Sequence, residues 1–368
     1  MRVPARFYSD EELLKGIVSD NSLQQLINTA TLPGVVKYAL AMPDVHQGYG
    51  FPIGGVAATQ YPGGVISPGG IGYDINCGVR LLKTTLSETE IRDKVPDLVA
   101  ELFAQIPSGM GTPGNFVLTE EQMDDVLKKG SQWALENGTA TEADLAYTES
   151  NGCLPGADPS RVSQRARQRG KDQLGTIGSG NHFVEVGYVD RILQPEIARA
   201  YGLYQGQVTI LIHTGSRGLG HQVATDYIRR MVTAMEVYGI KLPDRELACV
   251  PFESVEGQEY FAAMCAAANF AWCNRQLVTW EVRQVWKNTF GPGVSPPEVL
   301  YDVAHNIAKV ETHEIEGESR NVVVHRKGAT RAFGPWHEEI PCSHKPYGQA
   351  VLIPGSMGTS SYVLAGAQ

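Results

Sequence analysis

Short apolar or alternating runs at residues 36–42, 56–59 and 79–84, separated by glycine and proline clusters, predict buried strands joined by tight turns. Ahead of them, Ser9 to Glu12 has the Ser-x-x-Glu form of a capping box and predicts a short helix, with a second over about residues 21–28. The same signature at Ser87 to Glu90 and at Thr119 to Gln122 predicts that helices resume there, with 107–114 as an intervening loop. From Gly138 to Gly156 the chain turns polar, which predicts an exposed excursion. Further strands are expected over 183–189, 208–213, 299–304, 321–325, 350–353 and 361–364, and long helices over 219–238 and 258–289. The nearly apolar stretch 260–273 contains Asn269 and is too short to span a bilayer, so it reads as a buried helix. Strands and helices alternate irregularly, which disfavours a regular parallel barrel and predicts a mixed α/β fold of the α+β kind. With no evident linker, residues 1–368 are expected to form a single large sheet-centred domain.

Composition narrows the class. Of 368 residues, 42% are hydrophobic and 19% charged, below the roughly 25% of an average soluble chain, so a disordered polymer is excluded. A formal charge of −9 argues against coating nucleic acid by bulk electrostatics, so any polyanion must meet a local basic patch. The 40 glycines show no repeat period and are expected in specific turns. Six scattered cysteines and a start without an apolar leader argue against a secreted disulfide scaffold and for a cytoplasmic protein without a membrane segment.

The residues best able to do chemistry recur at the ends of apolar strands beside Gly or Asn. Asp74 and Cys77 follow a glycine run, Asn181 and His182 follow Gly178 to Gly180, His213 ends one strand run, and His305-Asn306 ends another. Groups at strand ends converge on a crevice, where a ligand binds. A thiolate, three imidazoles and a carboxylate could hold one or two divalent ions, and manganese or zinc would suit. Taken singly, Cys77 reads as a small buried hydrophobe and His213 as a core imidazole. Pro354 to Ser361 has the composition of an anion nest, or of a plain Gly-rich turn. Local basic patches are supplied by His325 to Arg331 and by Arg161, Arg165, Arg167, Arg169 and Lys171, which read otherwise as solvated helix faces. Arg217 could clamp a phosphate, and Asp44 or His46 could act as acid, base or orienting partner. No Gly-x-x-x-x-Gly-Lys-Ser/Thr loop occurs.

Seven pieces in order, Met42 to Gly48, Gly72 to Arg80, Gly178 to Phe183, His213 to Arg217, His305-Asn306, His325 to Arg331 and Pro354 to Met357, together resemble the RtcB family of RNA-splicing ligases. The resemblance implies an enzyme that joins RNA ends bearing a 3′-phosphate or 2′,3′-cyclic phosphate to 5′-hydroxyl ends, in tRNA splicing or RNA repair. It implies GTP and a pair of manganese ions as cofactors, enzyme–GMP and RNA–GMP intermediates, and an archease-like activating protein as a partner. Carried over, Asp74, Cys77, His182, His213 and His305 would hold the metals, with Cys77 bridging as thiolate. Asn181, Glu185, Asn306, Pro354, Gly355, Ser356, Met357 and Ser361 would surround the guanylate. Arg217 and the 325–331 cluster, Lys327 included, would face phosphates, with Asp44 and His46 beside the reacting groups. The family's guanylate-accepting histidine lies in a His-Gly-Ala-Gly-Arg segment downstream of the Pro-Gly-Ser-Met turn. Residues 1–368 contain no His-Gly dipeptide, so a C-terminally incomplete ligase is expected. The alternatives are a metal-dependent RNA-end phosphodiesterase or phosphatase, and a non-catalytic RNA- or nucleotide-binding paralogue.

Overall fold

The computed structural model describes residues 1–356 and 358–367. In chain order its strands are β1 (Ala5–Phe7), β2 (Val35–His46), β3 (Ile53–Gln60), β4 (Val65–Ile66), β5 (Gly78–Ser87), β6 (Phe183–Tyr188), β7 (Gln207–Thr214), β8 (Val250–Pro251), β9 (Glu298–Ala304), β10 (Asn306–Ile315), β11 (Glu318–Lys327), β12 (Ala350–Ile353) and β13 (Tyr362–Ala365). One sheet has the order β6-β7-β5-β9 and a second β1-β2-β3-β11-β10, while β4-β8 and β12-β13 form two-stranded ribbons. Apart from the parallel β1–β2 pair, the pairings are antiparallel. With its helices, this is the mixed α/β fold of the α+β kind expected from the sequence.

The four-stranded sheet is covered on both faces, which is why β5 is buried without a break from Gly78 to Leu82. Leu82, Ile210, Ile212 and Val299 pack with Val278, Val282, Val285 and Trp286 of the helix Val255–Phe290. Val79, Leu81, Leu211, Leu300 and Val303 pack on the other face with Ala350 and Leu352 of β12. The helix starts at Ser254, whose side chain accepts from the Gly257 N–H, and stops at Gly291, whose φ of 84° only glycine adopts freely. Over 263–279 it is buried all round. Alanines at 263, 266, 267, 268 and 271 let neighbouring elements approach closely there.

Polar side chains interrupt that apolar helix for one reason. Arg275 donates from Nε and Nη2 to both oxygens of Asp302 in β9, at 2.9 Å each. Arg80 of β5 donates from Nε to the same carboxylate at 2.8 Å and from Nη1 to Gln276 and Thr279. All three charged groups are fully buried. Burial alone would raise the Asp302 carboxyl, but the two guanidinium groups hold it below its ordinary value.

Several expectations need correction. The first helix is capped by Asp10, which accepts from the Glu12 and Leu13 N–H groups, and not by Ser9, because the helix begins one residue later than the Ser-x-x-Glu spacing implies. The 138–156 segment is not an exposed excursion. Asp144, Thr148 and Glu149 are buried, Asp144 is paired with Arg283 at 2.7 Å, and Glu149 accepts from the Ala304 N–H and pairs with Lys309 at 2.7 Å. Its polar composition reflects these buried ionic contacts. Strand β10 was not anticipated, because its alternation of apolar and charged residues includes Lys309 and Glu311, which are buried in ion pairs. The last strand starts at Tyr362, one residue after the expected position.

Replacing Asp302 with alanine would leave Arg80 and Arg275 buried without a counter-charge. The expected loss is about 3–5 kcal/mol in urea unfolding. An Asp302→Ala protein as stable as the parent would show that the pair carries no such constraint. Acid should weaken the fold in a definite window. Burial pushes the Asp144 carboxyl up, but Arg283 and Arg80 bring it down to about 2 from 3.8. Its stabilising contribution is therefore complete above about pH 4 and lost as pH falls through about 2. Urea midpoints measured between pH 6 and pH 2 should fall less steeply for Asp144→Asn than for the parent chain.

Candidate metal centre

Antiparallel pairing brings the starts of β5 and β6 to the same sheet edge as the ends of β7 and β9. Val79 is paired with His213 and Phe183 with His213, while Gly78 is opposite both Thr214 and Ala304. Cys77, His182, His213 and His305 are the residues at those four ends, so the register alone gathers them. Cys77 Sγ lies 3.1 Å from His182 Nε2 and 3.4 Å from His213 Nε2, and His213 Nε2 lies 3.3 Å from His305 Nε2. The Cys77, His182 and His213 donor atoms all fall within 4.8 Å of one another. Asp74 joins them, its Oδ2 at 3.1 Å from His182 Nε2.

The turn before β5 aims its two ligands by backbone contacts. Asn76 adopts a φ of 53°, and its N–H donates to the Asn306 carbonyl at 2.6 Å. Arg275 Nη1 donates to the Asn76 carbonyl at 2.8 Å and to the Thr214 carbonyl at 2.9 Å, tying the Cys77 and His213 strand ends to one guanidinium. The His305 N–H donates to the Cys77 carbonyl at 2.9 Å. Asp74 Oδ1 accepts from the Ser216 N–H at 3.0 Å. Gly215 faces this carboxylate so closely that a Cβ there would lie 2.5 Å from both of its oxygens. Asn274 anchors the same loops, donating to the carbonyls of Thr176 and Gly215, each at 3.1 Å.

Electrostatics favours the ligating forms of most of these groups. Burial, reinforced by the neighbouring His305, pushes His213 well below its ordinary value, and burial with Arg275 brings His305 down to about 4. Both are therefore neutral at pH 7 and offer lone pairs. Burial pushes the Asp74 carboxyl up, but His182, Cys77 and Arg217 together bring it down to about 2. The Cys77 thiol is pushed up by burial and by the Asp74 charge. A bound cation would reverse that preference by stabilising the thiolate. Neutral imidazole nitrogens 3.3 Å apart, with a sulfur and a carboxylate beside them, have too few protons to satisfy each other. A divalent cation could satisfy the set, and the mixture of sulfur, nitrogen and oxygen suits borderline ions. Among the described residues, the Nδ1 atoms of His182 and His213 are buried without a protein partner. Packing orients the rings instead: Gly178 lies against His182, and the Phe183 ring meets His213 edge-on at 5.6 Å.

The other anticipated residues are distributed around this centre. Arg217, with a φ of 56°, donates to Thr176 Oγ1 at 2.9 Å and to the Gly109 carbonyl at 2.7 Å, and it packs against Gly178 beneath His182. Asn306 spans its neighbours, donating to the Asp74 carbonyl at 3.1 Å and accepting from the Gly328 N–H at 2.8 Å. Lys327, opposite Asn306 in the β10–β11 register, donates to the Tyr49 and Phe51 carbonyls, and burial lowers its ammonium to about 8. Asp44 and His46 are exposed at the end of β2, with His46 Nδ1 2.8 Å from the Asp44 carbonyl. Asn181 donates to the Gly355 carbonyl at 3.1 Å, which joins the 178–182 loop to the segment after β12, and Glu185 is exposed on β6. The Gly355 and Ser356 N–H groups donate to the Ser361 and Thr359 hydroxyls, so two of the segment's N–H groups are already engaged. Pro354 opens the segment, and Met357 lies outside the described residues.

The 325–331 cluster is not a surface patch. Arg326 pairs with Glu311 at 2.5 and 2.8 Å, Arg331 is buried against Tyr301 and Glu339, and His325 accepts from the Ser67 N–H. Of the second basic run, Arg167 pairs with Asp124 at 2.7 Å and Arg161 with Glu259 at 2.6 Å, leaving Arg165, Arg169 and Lys171 exposed. Arg275, Asn274 and Asp302 were missed as determinants of the site, and the available signal was a run of polar residues, 274–276, inside a helix otherwise apolar.

The chain's resemblance to known proteins follows the same elements. The family described as tRNA-splicing ligase RtcB matches residues 25–368. The chain belongs to the RtcB family. A tRNA-splicing ligase RtcB of Thermococcus kodakarensis is 57% identical over 370 residues, covering 100% of this chain and 77% of the relative. One from Aeropyrum pernix is 54% identical with the same coverage, and an RNA-splicing ligase RtcB of Mycobacterium tuberculosis is 52% identical over 93% of this chain and 79% of its own. The RtcB match spans all five converging side chains.

Cys77→Ser and His213→Ala should lower bound divalent metal, measured by elemental analysis after dialysis against manganese, while far-ultraviolet circular dichroism stays unchanged. Gly215→Ala should do the same by displacing Asp74. Full occupancy in all three would retire the site.

Proposed function

We propose that this chain acts as a manganese- and GTP-dependent RNA ligase, joining 3′-phosphate or 2′,3′-cyclic phosphate ends to 5′-hydroxyl ends. The observation that carries the reading is the convergence of Cys77, His182, His213, His305 and Asp74 at one sheet edge, in a chain of the RtcB family. Bound there, divalent cations supply Lewis-acid polarisation of phosphate oxygens and neutralise charge that develops during phosphoryl transfer. Cys77, placed between His182 and His213, would hold metal as thiolate. Arg217 and Lys327 border the cleft with side chains already anchored on carbonyl or hydroxyl oxygens, which pre-orders them for a phosphate. Asn181, Glu185, Asn306 and the 354–361 segment, Met357 included, are the proposed guanylate contacts. Asp44 and His46 are assigned to the mouth of the cleft, where the reacting RNA ends would enter. An archease-like activating protein is the proposed partner. The six cysteines are free, and four are buried, which suits a reducing compartment and a cytoplasmic location. Among the described residues no helix is long and apolar enough to cross a membrane.

The reading is tested by titrating fluorescent single-stranded RNA onto manganese-loaded chain. RNA ending in a 3′-phosphate should bind about tenfold more tightly than RNA ending in a 3′-hydroxyl, the worth of one contact to a charged group. The difference should vanish in Cys77→Ser. Equal affinities for the two ends would overturn the proposal.

A further inference from the structure

Beside the metal centre lies a row of aromatic rings that the chemistry above does not use. Tyr73, the residue before Asp74, stacks on His221 with ring centres 4.8 Å apart and planes 20° from parallel. Tyr49 also meets Tyr73, with ring centres 5.2 Å apart and planes tilted by 59°. Tyr49 and Tyr73 are half-buried, whereas His221 is exposed. The stack thus runs from the core outward, and its last member faces solvent. His221 stands in the first turns of the helix Arg217–Val237, whose N-terminal Ser216 holds the Asp74 carboxylate. The next residue, Gln222, accepts from Arg169 Nη1 at 3.1 Å, which places an exposed guanidinium next to the imidazole. Burial and this guanidinium both lower the His221 pKa, so its ring is neutral at pH 7 and stacks as an aromatic.

A flat ring exposed at the end of a rigid stack, with a cation alongside, matches the arrangement by which proteins hold single-stranded nucleic acid. Bases stack on aromatic faces while arginines track the backbone, and little sequence preference results. Inside the core, Tyr73 would need a ring neighbour only for packing. A histidine laid nearly parallel on it belongs to a residue that is exposed overall.

We propose that the Tyr73–His221 stack is a platform for a nucleobase of the RNA end, extended by Arg169 to the phosphate of a neighbouring nucleotide. The inference rests on the RNA-ligase reading and adds the position of a base next to the metal-bound end. It requires that the base be stacked and not read by its edges, so any of the four bases is accepted.

The test uses the full chain loaded with manganese and a 3′-phosphate RNA carrying 2-aminopurine near that end. Stacking on His221 should quench the probe on binding. His221→Ala should restore its fluorescence and weaken binding about tenfold, within the range for one base–aromatic contact. His221→Phe should recover both, because it keeps the face and removes the nitrogens. RNA with an abasic nucleotide at the probe position should bind the parent chain and His221→Ala equally. Metal content should be the same in all forms, since His221 is exposed and outside the donor set. Unchanged quenching and affinity in His221→Ala would overturn the platform while leaving the ligase reading intact. Failure of the parent chain to distinguish a 3′-phosphate from a 3′-hydroxyl would instead overturn the reading beneath it. Weakened GTP binding in His221→Ala with RNA affinity retained would also overturn the platform by assigning the ring to the guanine.

Discussion

Asp302 sits between the guanidinium groups of Arg80 and Arg275 with no exposure to solvent, and the site depends on that triad more than on any single ligand. Burying three charges is costly, and a well-packed apolar cluster would stabilise the fold at least as well. What apolar side chains lack is donors. Arg275 uses its remaining N–H groups on the Asn76 carbonyl and side-chain oxygen and on the Thr214 carbonyl, so a single rigid group sets where Cys77 and His213 leave their strands. The cost in desolvation is offset by geometry at the metal centre, where small displacements of a donor matter.

The sheet supplies the second half of the same constraint. Its antiparallel order places two strand starts and two strand ends at one edge, so residues more than two hundred positions apart in the chain need no long excursions to meet. Apart from Asp74 in the turn before β5, each donor lies in a strand or next to a strand residue whose backbone bonds are already made. The ligands therefore lie on the stiffest element of the fold, while Gly178 and Gly215 leave room for the side chains that press against them. Neutral imidazoles, a depressed carboxyl and a thiol that only a cation would ionise form a set whose electrostatics is completed by metal.

The elements with strong periodicity were legible. Strand β12 and the helix Val255–Phe290 fall where the apolar pattern put them, since 350–352 and 263–279 are buried throughout and their composition reports it directly. The site ligands were legible as strand-end residues beside glycine, and the family resemblance marked the same positions. Other segments misled for a common reason. In the 138–156 and 325–331 segments, charge was read as exposure, but Asp144, Glu149, Arg326 and Arg331 are buried in ion pairs with partners far away in the chain. A lone sequence shows a charge and not its counter-charge. The Asp10 cap differs by one residue from the expected one, because Ser and Asp both cap well and only the backbone decides between them.

By itself the sequence determined the class of fold, the identity of the metal-capable side chains and the family to which the chain belongs, because these follow from local pattern and from motifs read in order. Tertiary structure alone decided which charges are buried, that the Pro354 turn bonds to itself, that Arg275 is the hinge of the metal site and that Tyr73 and His221 share a stack. Each of those is a contact between residues distant in the chain, and its energy depends on separation and burial in space, quantities that spacing along a polymer does not carry.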